Sequence, residues 1–167
     1  IGGGTSNAKA LATATATGIT GGDGENTLVN LSAGTINAQA TATGNASSYK
    51  IDLVGAGVAK AGIDANATAL GVAGGKDADT IRNDGAITAG ATSTLTSISK
   101  TYEMTGAGIA DARSNAVSTA AGIDGADGEN RIVNRSTGSL TVTSSATAAS
   151  GGLSATIGIT GALAGST

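Results

Sequence analysis

The chain has 167 residues, with 9 Lys and Arg against 12 Asp and Glu, a formal net charge of −3, and no His, Cys, Pro, Trp or Phe. Without imidazole or thiolate there is no Ser-His-Asp or Cys-His relay and no ordinary zinc ligand set. No disulfide can staple the fold, and the scattered basic residues offer no patch for a phosphate backbone, so nucleic acid is not an expected partner. Alanine outnumbers Leu, Ile and Val taken together; that is thin for a globular core, yet the chain lacks the high charge of a disordered one.

In chain order, no basic-then-apolar leader opens the sequence at Ile1, and no apolar run approaches the ~18 residues of a membrane helix. The segment from Gly2 to Asn26 (GGGTSNAKALATATATGITGGDGEN) recurs without a gap from Gly55 to Asp79 and from Gly106 to Asn130. Each copy leads into a second kind of segment: NTLVNLSAGTINAQATATG from Asn26, DTIRNDGAITAGATSTLTS from Asp79 and NRIVNRSTGSLTVTSSATA from Asn130. Three two-part modules result, near 2–54, 55–105 and 106–157, with a partial repeat at the end. The two parts also resemble each other. T-x-T patches return at about half a module, so that Thr13 and Thr143 stand five such steps apart. The expected unit is therefore a rung of about 26 residues, with about six rungs in a single domain.

Within a rung, ALATATATG, AQATATG and LTVTSS alternate small or branched apolar residues with Thr, Ser or Asn, the period of a strand, and Gly pairs punctuate them. Short strands of this kind cannot bury a face alone, but stacked rungs can. The sequence thus predicts an all-β fold, a parallel β-solenoid wound as a right-handed β-helix, with six rungs rising about 30 Å at the strand spacing. The closing run from Gly161 to Thr167 and the opening at Ile1 both fall within a repeat, which predicts continuation. The expected partner is either flanking repeats of a longer chain or a second copy paired end to end.

Four groups of residues invite a functional reading. The turns GGDGENTLV, GGKDADTIR and GADGENRIV approach a calcium-binding glycine-aspartate nonapeptide, which makes Asp23, Glu25, Asp77, Asp79, Asp127 and Glu129 candidate calcium ligands; the alternative is that Gly and Asp simply build tight turns. With the rung at half a module, equivalent acids lie two rungs apart, about 9.6 Å, too far to share an ion. Thr13, Thr15, Thr41, Thr43, Thr68, Thr92, Thr94, Thr141 and Thr143 form ranks suited to ice or another periodic lattice, or to an ordinary solvent-facing strand. Asn30, Asn83 and Asn134 suggest an asparagine ladder, although rungs two apart favour local turn capping. Tyr49 and Tyr102, beside Lys50 and Glu103, are one full module apart and read as a repeated structural slot. No enzyme is expected: a carboxylate pair acting on polysaccharide is the least favoured reading.

The run D-T-I-R-N-D-G-A-I-T-A from Asp79, echoed from Asn26 and Asn130, resembles the repeats of bacterial autotransporter passenger regions and filamentous-haemagglutinin-like surface proteins. The resemblance spans essentially the whole chain. It implies a right-handed parallel β-helix, extracellular or at the bacterial cell surface, serving as a stalk, adhesin or filament subunit. From the residues themselves no cofactor is expected, with calcium at the turns as the one optional addition, and no membrane insertion by this segment. The two-part module departs from the shorter haemagglutinin repeat.

Overall fold

The computed structural model describes residues 3–156 and the main chain of 162–166; the module boundary at 157 and both termini of the sequence lie outside them. The described residues form eight strands and no helix: β1 (Gly4–Gly22), β2 (Thr27–Asn30), β3 (Thr35–Gly75), β4 (Thr80–Asn83), β5 (Ala86–Ala126), β6 (Arg131–Asn134), β7 (Ser139–Thr156) and β8 (Ala162–Ser166). All pairing among them is parallel. One sheet runs β1-β3-β5-β7 with β8 also on β5, and a second runs β2-β4-β6.

The all-β, parallel character follows the alternation in the sequence, but the period corrects the expected rung. Thr15 lies opposite Thr68, Thr43 opposite Thr94, and Gly108 opposite Ala162. The chain returns beside itself after 53 positions, from Asn30 to Asn83, and again after 51, from Asn83 to Asn134. A circuit is thus a whole module, twice the expected rung. About three circuits replace the six expected rungs, with a rise of roughly 15 Å at the strand spacing. The physical reason lies in β3 and β5, each 41 residues long. Each folds back near its middle, at Gly55 and Gly106, which are paired with each other and have φ of 132° and 139°. The two arms carry the same small-in, Thr-out alternation, so halves of one circuit imitate successive rungs.

Hydrogen bonds show that the arms face one another. Ser93 Oγ donates to Val117 O at 2.6 Å, Ser99 Oγ to Ala59 O at 2.6 Å, and Thr101 Oγ1 to Ile109 O at 2.8 Å. A serine side chain reaches the opposite main chain only if the arms lie closer than the ~10 Å usual for stacked sheets. Alanine makes this approach possible.

The interior changes along the arms. Its middle is alanine, including Ala40, Ala42, Ala65, Ala67, Ala69, Ala89 and Ala91, with Ile63 and Leu95. At the end closed by β2-β4-β6 the space widens and fills with Ile36, Val72, Ile81 and Ile87, flanked by Leu28 and Ile123. The inward phase slips by one residue between Ala69 and Val72. At the opposite end, around the bend, Ser48, Ser97, Ser99 and Thr101 are buried. Since burying one carbon contributes only about 0.8 kcal/mol and a whole Ile about 1.5–3 kcal/mol, cohesion is concentrated in the Ile/Val prism and in the main-chain ladder.

Candidate functional site

The turn end carries two side-chain ladders. Asn30 Nδ2 donates to Asn83 Oδ1 at 2.7 Å, and Asn83 Nδ2 donates to Asn134 Oδ1 at 2.8 Å. Asn83 is fully buried. The sequence reading that favoured local turn capping over a ladder is corrected in part: with a circuit as long as the whole module these residues are direct neighbours and their amides stack, while Asn134 Nδ2 also donates within its own turn, to Gly138 O at 3.2 Å. A second ladder joins Asn26, Asp79 and Asn130. The Asn26 N–H donates to Asp79 Oδ1 and the Asp79 N–H to Asn130 Oδ1, each at 2.8 Å. Beside the ladders, Arg82 donates through both Nε and Nη2 to Asp84 Oδ2, and Arg135 Nε lies 3.4 Å from Asp84 Oδ1. The hydrogen bond from Arg82 holds the Asp84 carboxyl below its ordinary value, assisted by the charges of Arg82 and Arg135 and opposed by desolvation.

The six turn acids do not stack. Lys76 and Asp127 bond to Gly22 and Gly75 of their preceding circuits, which sets Lys76 between Asp23 and Asp127; Lys76 Nζ is 3.4 Å from Asp23 Oδ1. By the same offset Ala78 falls between Glu25 and Glu129, and Asp77 between Gly24 and Gly128. Equivalent positions are thus one circuit apart, about 4.8 Å rather than 9.6 Å, but a different residue type occupies the intervening place. Asp23, Glu25, Asp77, Asp127 and Glu129 are exposed, and Asp79 is buried. Among the described residues no group of three or more His, Cys, Asp or Glu side chains is placed to hold a metal ion.

The threonines divide between two faces. Thr13, Thr15 and Thr68 point outward from one arm, in columns Thr13-Asn66-Val117 and Thr15-Thr68-Thr119. Thr41, Thr43, Thr92, Thr94, Thr141 and Thr143 point outward from the other, in columns Thr41-Thr92-Ser145, Thr43-Thr94-Thr147 and Thr88-Thr141, with Thr143 after Gly90. The single rank expected from a half-module step becomes two arrays back to back.

The bend end contains a feature that sequence reasoning did not single out. Asp52, Glu103 and Thr156 stand in one column, one circuit apart, with side chains turned inward. Glu103 is 2% exposed. Its Oε1 accepts the Gly57 N–H, and Lys50 Nζ lies 2.8 Å from Asp52 Oδ1. The remaining oxygens, Asp52 Oδ2, Glu103 Oε2 and Thr156 Oγ1, are buried without a hydrogen-bond partner among the described residues. The signal was an acid in the inward phase of an alternating strand, repeated one module later. Around it, Tyr49, Ile51, Leu53 and Met104 are exposed. Tyr49 pairs with Lys100 and Tyr102 with Ile51, so the two tyrosines do not share the repeated slot that their spacing suggested.

No protein-family model, curated protein or solved structure matches this chain.

Proposed function

We propose that this chain is a structural module: a right-handed β-helical segment of an extracellular or bacterial cell-surface protein, working as a stalk, adhesin region or filament subunit. The observation that carries the reading is the open edge. Among the described residues the main sheet ends at β1 on one side and at β7 and β8 on the other, and the smaller sheet at β2 and β6. Such edges present rows of main-chain donors and acceptors, which soluble proteins ordinarily cap or charge. Here Ala12, Ala14 and Ala16 on one edge and Ala146 and Ala148 on the other leave small inward side chains ready to pack against a further circuit. Contact between the two different ends is heterologous and does not close, so it yields a filament.

Electron microscopy of the purified protein tests self-assembly. Fibres of constant width support stacking between copies. Single particles at all concentrations would remove the filament reading and restrict the role to flanking repeats within one chain.

A further inference from the structure

The buried column at the bend calls for a partner that the described residues do not supply. Placing a carboxylate in the interior costs several kcal/mol unless it is paired and hydrogen-bonded. Elsewhere along the arms the inward positions are mainly Ala, Ser or Thr, which cost far less. Asp52 and Glu103 are nonetheless set one directly over the other, and Lys50 engages Asp52 through Oδ1, leaving Oδ2. One oxygen of each carboxylate reaches the same place beside Gly57. A methyl group on Gly57 would lie 2.6 Å from Asp52 Oδ2 and would run into Glu103 Oε1, so the glycine leaves the place where the two carboxylates converge. Thr156 continues the column one circuit beyond Glu103, about 9.6 Å from Asp52 at the strand spacing, and lies outside this convergence.

We propose that Asp52 Oδ2 and the Glu103 carboxylate form a site for a hard metal cation, which bridges two successive circuits at the bend. An all-oxygen donor set selects Ca²⁺ or Na⁺ over softer transition metals. The site is separate from the turn acids, which lie at the far end of the arms, roughly 60 Å away at the rise of an extended strand.

The chain's two tyrosines, its only aromatic residues, are both at the bend, so Tyr-sensitised terbium luminescence reports on this end alone. Titration of the full chain with Tb³⁺ is expected to give sensitised emission that Ca²⁺ or Na⁺ displaces, the more effective competitor identifying the ion. Glu103→Gln and Asp52→Asn should each weaken Tb³⁺ binding at least tenfold, while Asp127→Asn at the turn end leaves it unchanged. Circular dichroism establishes that each variant is folded, and the wild-type titration stands independently of them. Absence of sensitised emission, emission that neither cation displaces, or emission unaltered in folded Glu103→Gln and Asp52→Asn would overturn the proposal.

Discussion

Asp79 stands where the neighbouring circuits carry Asn26 and Asn130. All three use the same corner of the ladder, but the asparagines also turn Nδ2 onto turn carbonyls, Asn26 onto Gly24 O at 2.6 Å and Asn130 onto Gly128 O at 3.3 Å. Asp79 has only an oxygen to offer there, and its Oδ2 is buried and unpartnered among the described residues. Asp79→Asn is therefore expected to stabilise the fold by about 1 kcal/mol, read as a higher urea midpoint with an unchanged slope. Asp84 gives a pH dependence. Its carboxyl is held low mainly by the Arg82 hydrogen bond, so its stabilising contribution is complete above about pH 4 and is lost as pH falls through the depressed folded value. Urea midpoints measured from pH 7 down to about pH 2 should show a shallower acid decline for Asp84→Asn than for the wild type. The asparagines were visible as a spacing, but whether Asn30, Asn83 and Asn134 touch depends on the circuit length, which no single residue reports.

Among the elements, the two arms of each long strand carry the main lesson. Their alternation was legible because strand faces repeat every second residue. Their grouping was not, because Gly55 and Gly106 turn one strand back on itself and make two faces of one circuit look like two circuits. The buried carboxylates stayed hidden for the same cause: a half-length frame never brings Asp52 beside Glu103. The closeness of the arms makes a strong packing prediction. Ala67 is fully buried, and Ala67→Leu should cost about 1–3 kcal/mol or more, because extra volume must push the sheets apart. Ala67→Ser should cost less, since serines such as Ser93 and Ser99 already occupy inward positions and bond across the gap. Equal losses for the two variants in chemical denaturation would contradict this account.

For the whole molecule, the parallel all-β class was readable from composition and period, and the ends of the stack are where any assembly must act. Ala148 is on the edge strand β7, in register with the buried Leu95. Ala148→Lys places a charge in the inward column of the open edge, one of the means by which natural sheets prevent edge-to-edge pairing. If copies join by stacking, this variant should remain folded by circular dichroism and fail to form fibres under the electron microscope. Fibres of unchanged length in Ala148→Lys would place the contact elsewhere.

The fold-back at Gly55 and Gly106 also governs what a longer polymer of this kind would provide. Each additional circuit consumes some fifty residues yet raises the stack by a single interstrand step of about 4.8 Å, so a chain several times longer would gain little height. Arms of this length make a stalk of this kind broad for its height: lengthening the polypeptide multiplies flat hydroxyl-rich flank far faster than it extends reach. Selection on such an object would act chiefly on the acreage it displays.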